Sequence, residues 1–168
     1  IDDVQKLLNS GADKVAINTA AVNDPDLISQ VSNIFGSQCM VLSIEAKQIT
    51  ENEWEVYTEN GREKTGMDVL EWAQKVDKLN AGEILLTSID NEGTQKGFDN
   101  TLIKTVSNNV SIPVIASGGM GSIDHAKSVI EDAKADAIAM AHVLHYSKYS
   151  IRKIRSSLIA DNVNVRKL

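Results

Sequence analysis

Ser117, Gly118 and Gly119 close an apolar run, Ile112 to Ala116, and the Ser-Ile-Asp-His after Gly121 opens an amphipathic pattern. A strand that turns through Ser-Gly-Gly into a helix gathers unpaired backbone N–H groups and the positive helix end at one point. The chemistry suited to that point is phosphate binding. A tight βα turn with no ligand is the competing reading, because glycines serve turns as readily as ligands. The surrounding pattern occurs twice. Ile1-Asp2-Asp3-Val4 and the later Gly11-Ala12-Asp13-Lys14-Val15-Ala16-Ile17 run parallel to Ile123-Asp124-His125-Ala126 and Ala133-Lys134-Ala135-Asp136-Ala137-Ile138-Ala139, with one extra residue in the second copy. Such self-similarity marks a duplicated architecture. The second copy is preceded by a strand and Ser-Gly-Gly, whereas the first begins at the helix, so the reading expects an N-terminally truncated piece of a larger protein.

Five apolar runs rich in β-branched residues must position these groups: 14–18, 39–44, 84–88, 112–116 and 136–141. Helical patterns alternate with them. Asp24 and Pro25 open one with Leu27, Ile28, Val31 and Ile34, ending at Gly36. Asp68, Val69, Trp72, Val76 and Leu79 give a second; Leu102, Ile103 and Val106 a third; Ala126, Val129 and Ile130 a fourth; and a last one follows Ser150. His125 reads as a solvent-facing helix residue. Between residues 50 and 66, the alternation Trp54-Glu55-Val56-Tyr57-Thr58 predicts a small hairpin at the C-terminal edge of the sheet.

Alternating strands and helices make βαβ units on a parallel sheet. With a repeat four strands apart, the expected fold is an α/β (βα)8 barrel of the duplicated half-barrel type. A doubly wound open sheet competes but does not account for the repeat. Residues 1–168 then form a single partial barrel domain carrying about strands four to eight. The first three βα units, about 85 residues of the ~250 such barrels use, would be missing.

Composition narrows the function classes. Of 168 residues, 42% are hydrophobic but only 4% aromatic, so the core must be built of Val, Ile, Leu and Ala. The net charge of −6, without a basic patch, argues against nucleic-acid binding. No apolar run approaches the ~20 residues of a membrane span. The single cysteine, Cys39, cannot form an intrachain disulfide, and it reads as a buried small hydrophobe of a cytoplasmic protein.

At this point the residues resemble a known family, the cyclase subunit of imidazole glycerol phosphate synthase, along the whole chain. The matching stretches are Gly11 to Val22, Phe35 to Cys39, Gly82 to Asp90, Gly93-Thr94, Ile112 to Gly119 and Val143-Leu144-His145-Tyr146. A sister barrel, the aminoimidazole carboxamide isomerase, shares the fold and phosphate sites, but the stretches 85–90 and 143–146 look more like the cyclase.

The resemblance implies a reaction. Ammonia from a glutaminase partner, docked at the N-terminal barrel face, meets a bis-phosphorylated aminoimidazole carboxamide ribonucleotide. The adduct cyclises and splits into imidazole glycerol phosphate and a purine-pathway intermediate, aminoimidazole carboxamide ribonucleotide. Neither a cofactor nor a metal is implied. Carried over by position, Ser117, Gly118 and Gly119 with Gly93 would form one phosphate site. Asn18 and Thr19, with the backbone near Ala141 and His142, would contribute to the other. Thr87 and His145 would line the centre, and Lys14 with Glu83 would gate the ammonia entrance; without the family, that pair reads as an ordinary solvated ion pair.

The family uses two carboxylates as general acid and base, and the second falls on Glu45, where the family has Asp. The extra methylene moves the carboxylate outward by roughly 1.5 Å, and misplacement on that scale costs about a hundredfold in rate. A carboxylate that only binds loop amides is the alternative for Glu45. Two further departures are Glu92, for the usual Asp beside Gly93, and His142, for the usual Ser. A histidine there binds phosphate as a donor or as a cation. These departures keep two other readings open: a paralogue that channels ammonia to a sugar amidotransferase, and a non-catalytic scaffold that binds a glutaminase.

Overall fold

In the computed structural model, which describes residues 1–166, the apolar runs become strands of one sheet. In chain order the elements are α1 (Asp2–Asn9), β1 (Val15–Ile17), α2 (Thr19–Asn23), α3 (Asp26–Phe35), a 3-10 turn (Ser37–Cys39), β2 (Met40–Thr50), β3 (Glu53–Thr58), β4 (Glu63–Asp68) and α4 (Val69–Lys78). There follow β5 (Glu83–Ser88), α5 (Asn100–Ser107), β6 (Val114–Ser117), α6 (Ile123–Glu131), β7 (Ala137–Ile138), α7 (His142–His145) and α8 (Ile151–Ala160). No described helix is long and apolar enough to cross a membrane.

Strands β1, β2, β5, β6 and β7 lie side by side in that order, all parallel. Period-two alternation separates the two faces of this sheet. Leu42, Ile44, Ala46, Ile84, Leu86, Val114 and Ala116 have no exposed surface and form the core beneath the helices. The residues between them, among them Ser43, Glu45, Leu85, Thr87, Ile115 and Ser117, point to the other face and are half-buried. Helix packing on one face, with parallel strands joined by helical crossovers, is the βα architecture of (βα)8 proteins. Among the described residues the sheet stays open, with β1 and β7 at its two parallel margins.

Local chemistry accounts for the helix starts. The side chains of Asp68, Asp99, Ser122 and Ser150 each accept a backbone N–H from the first turn of α4, α5, α6 and α8, respectively. Asp136, the repeat residue of the second copy, accepts the Val114 N–H at 2.9 Å and so ties the start of β6 to the segment entering β7. Cys39 is buried, as expected.

Several expectations need correction. The predicted hairpin is present as β3 and β4 but is larger than expected: β2 runs on to Thr50, and its distal half pairs antiparallel with β3, which pairs with β4. The meander takes up the edge of β2 where β1 ends, because β1 spans only the first three residues of β2. The 136–141 run is a strand only at Ala137–Ile138. Ile34, placed on the apolar face of α3, is 60% exposed. At 100° per residue it stands about 120° from Ile28, and Ser32 takes the buried place, donating to the Asn80 carbonyl at 2.7 Å. His125 is not simply solvent-facing: its Nδ1 accepts the Gly121 N–H at 3.2 Å, on the turn before its own helix.

Candidate active site

The parallel register builds one row of functional side chains. Glu45 on β2 pairs with Thr87 on β5, and Thr87 pairs with Ser117 on β6. Thr87 and Ser117 lie at or near the C-terminal ends of their strands, Glu45 near the end of the part of β2 that pairs with β5, and all three share the face away from the helices. Residues at strand C-termini are where barrel enzymes hold their chemistry.

Glu45 is held by the meander. The turn after β3 places Glu59, Asn60 and Gly61 in left-handed backbone conformations and folds back over Glu45 in the middle of β2. The Gly61 N–H donates to the Glu45 carboxylate, and the site around Gly61 is closed by Ile89. Burial raises the Glu45 pKa above its usual value of 4.5, opposed in part by the Gly61 hydrogen bond. Its Oε2 is buried with no partner. A partly buried carboxyl group whose proton affinity is raised is equipped for general acid–base work.

Beyond Ser117 the chain turns through Gly118 (φ +95°) and Gly119 (φ +99°), both buried. A Cβ on Gly119 would stand 2.0 Å from the Gly97 carbonyl oxygen, and one on Gly118 would stand 2.7 Å from that of Ser88. The 2.8 Å hydrogen bond from Gly97 N–H to Gly119 O requires that approach. Beside this turn lies a cavity of about 190 Å³, lined by Glu92, Gly93, Ser117, Gly118, Gly119 and His142 among others. The predicted phosphate residues Gly93 and Ser117 to Gly119 are thus brought together.

His142 lines this same cavity, while Asn18 and Thr19 follow β1 at the other margin of the described sheet. At the β1 margin the Asn18 amide donates to the carbonyls of Ser43 and Tyr57, each at 3.1 Å. The Thr19 hydroxyl donates to Asn18 Oδ1 and accepts the Glu59 N–H at 3.1 Å. Both hydrogens of the Asn18 amide are therefore committed to joining β1, β2 and the meander, and its side chain has no donor left for a phosphate. His145 is exposed on α7 and packs edge-on against Tyr146, with ring centroids 4.8 Å apart. Thr87 sits at the centre of the row just described.

Lys14 and Glu83 form an ion pair at the opposite, N-terminal end of the strands. The pair reaches over β2, which lies between β1 and β5. Two residues of the site went unread in the sequence, Gln95 and Lys148. The Gln95 amide nitrogen lies 3.0 Å from His142 Nε2, and Lys148 donates to Gln95 Oε1. No local signal marks them, because their contacts span 47 and 53 residues.

A parallel βα sheet with helices on one face and a glycine-lined pocket beyond its strands is the architecture of (βα)8-barrel proteins. The chain belongs to the histidine biosynthesis protein family, whose sequence profile matches residues 1–150. It is 52% identical, over 168 residues and 99% of its length, to the imidazole glycerol phosphate synthase subunit HisF of Prochlorococcus marinus subsp. pastoris (strain CCMP1986 / NIES-2087 / MED4). The chain spans 66% of the length of that relative.

Proposed function

We propose that this chain carries the cyclase chemistry of imidazole glycerol phosphate synthase. In that reaction ammonia and a bis-phosphorylated aminoimidazole carboxamide ribonucleotide yield imidazole glycerol phosphate and aminoimidazole carboxamide ribonucleotide. The observation that carries the reading is the row Glu45–Thr87–Ser117, which sets a desolvated carboxyl group beside a glycine-lined cavity at the C-terminal strand ends.

In this reading one phosphate of the substrate sits in the cavity on the amides around Gly93, Gly118 and Gly119. The reacting carbons then lie over the row, within reach of Glu45. Glu45 shuttles a proton during cyclisation and cleavage, its carboxyl group held beneath the Gly61 turn. Thr87 offers a hydroxyl next to it. A glutaminase docked at the N-terminal strand ends supplies ammonia past Lys14 and Glu83, and the protein works in the cytoplasm. Identity of 52% to a synthase subunit supports this reading over the sugar-amidotransferase and scaffold alternatives.

The test is ammonia-dependent turnover of the ribonucleotide precursor by the wild-type protein beside its Glu45→Asp variant. Turnover by the wild type establishes the cyclase. Turnover by the aspartate variant alone would show chemistry redirected by the longer side chain, and silence from both would return the weight to the alternatives.

A further inference from the structure

Asparagine is followed by glycine at one place in the chain, Asn60-Gly61, and that pair lies in the turn folded over Glu45. In such a pair the backbone nitrogen after the asparagine can attack its side-chain amide, because glycine has no side chain to shield that nitrogen. Asn60 is exposed. Asn52, Asn80 and Asn162 share its left-handed backbone conformation. They precede Glu53, Ala81 and Val163, whose side chains hinder the same approach.

The closed turn opposes the attack. To reach Asn60 Cγ, the Gly61 nitrogen must swing about the bond joining Asn60 Cα to its carbonyl carbon. That rotation takes the Gly61 N–H off the Glu45 carboxylate. It also disturbs the 3.0 Å hydrogen bond from the Arg62 N–H to the Thr58 carbonyl, which closes the turn. The Thr19 hydroxyl adds a clamp by accepting the Glu59 N–H at 3.1 Å. Packing adds another: a Cβ at Gly61 would stand 3.2 Å from Ile89 Cδ1 and 3.4 Å from Glu45 Oε2. Attack therefore waits on local opening of the turn.

We propose that Asn60 is a spontaneous modification site, deamidating through a cyclic imide when this turn opens, with Thr19 and Glu45 as the contacts that guard it. In the first step the Gly61 nitrogen bonds to Asn60 Cγ and loses its proton. The Cγ–Nδ2 bond breaks, and ammonia leaves with that proton. Water then opens the imide at either carbonyl. Opening at Cγ leaves aspartate; opening at the backbone carbonyl leaves isoaspartate, with the chain routed through Cγ. Both products set a new carboxylate in the turn above Glu45. Isoaspartate also lengthens the backbone by one atom, which displaces the Gly61 N–H. The inference goes beyond the cyclase reading and does not depend on it.

The experiment ages the purified full chain at mildly alkaline pH and maps its peptides by mass spectrometry, with isoaspartate read by enzymatic methylation. The isolated tryptic peptide 48–62, released after Lys47 and Arg62, gives the unguarded rate. The expected result is conversion at Asn60 ahead of Asn52, Asn80 and Asn162, and slower than in the peptide. Thr19→Val should speed conversion at Asn60 about three- to tenfold, the scale of one hydrogen bond. Glu45→Ala should do the same, and Glu45→Gln, which keeps an acceptor for Gly61, should not. A variant that merely unfolds speeds the other asparagines as well, so their rates separate loss of the guard from loss of the fold. In the aged wild type the Glu45 carboxyl carbon signal should shift, at constant pH, from its position in fresh protein.

An Asn60 that stays intact while the isolated peptide converts would overturn the site. Unchanged rates at Asn60 in both Thr19→Val and Glu45→Ala would overturn the guard. An unmoved Glu45 signal in converted protein would overturn the tie between the modification and the carboxyl group.

Discussion

Glu45 and Thr87 occupy facing register positions on β2 and β5, with Ser117 next in the same row on β6. The pairing sets a proton-transfer group, a hydroxyl and the start of a glycine turn on three adjacent strands at one height. Parallel strands slip by two residues or not at all without turning a hydrophobic face to solvent. The core residues Ile44, Leu86 and Ala116 therefore fix the height of the functional row on the opposite face.

Glu45→Gln keeps the shape of the side chain and removes its proton affinity. Ammonia-dependent turnover should fall by about 10² to 10⁴, the range of a general acid–base contribution, with phosphate affinity at the glycine-lined cavity unchanged. Steady-state kinetics beside a phosphate titration checks both halves; a parallel loss of binding would mean the substitution had disturbed the turn rather than the chemistry.

The same carboxyl group makes a pH prediction for stability. Its folded-state pKa is raised by burial, so the folded protein holds this proton more tightly than the unfolded chain. The resulting stabilisation is present in full below pH 4.5, the unfolded value, and is lost as pH rises through the folded pKa. Glu45→Gln should therefore be more stable than the wild type at neutral pH, with the advantage vanishing toward pH 4. Denaturant titrations of the two proteins across that range measure it, and an advantage independent of pH would contradict it.

Lys14 and Glu83 should matter little for folding. Their side chains are 46% and 22% exposed, and pairs of that kind contribute about 0–1 kcal/mol. Lys14→Met should shift the unfolding free energy by less than about 1 kcal/mol. If the pair gates ammonia, the variant should keep turnover on added ammonia and lose coupling to a glutaminase. Equal loss with both nitrogen sources would argue against a gate.

Asp99 carries two structural jobs at once. One carboxylate oxygen caps α5 by accepting the Leu102 N–H at 3.0 Å; the other accepts the indole N–H of buried Trp54 at 2.9 Å. Asp99→Ala loses the cap and strands a buried donor, costing about 2–3 kcal/mol in all. Asp99→Asn, which keeps an acceptor for only one of the two donors, should recover part of this. Equilibrium unfolding of the three proteins gives the comparison.

Much of the architecture was legible in the sequence. The order of five strands and the helices between them follows from apolar periodicity, because a fully packed strand face and a helix stripe each leave their own spacing in the chain. The Ser117-Gly118-Gly119 turn was legible too: two adjacent positive-φ residues demand glycine, whatever surrounds them. So were the candidate carboxylate Glu45 and Cys39 as a core residue.

Tertiary structure decided what depends on distant partners. Whether Glu45 titrates normally depends on a turn at Gly61 that no local pattern places over the middle of β2. That His142 lines one cavity with Gly93 and Gly118 depends on β6 and β7 being neighbours in the sheet. Gln95 and Lys148 became visible only through contacts spanning about fifty residues. Periodicity reports burial along one segment, since the energy of hiding apolar surface is paid residue by residue. Hydrogen bonds between remote side chains leave no such trace, because their geometry exists only once the strands have set the distance between them.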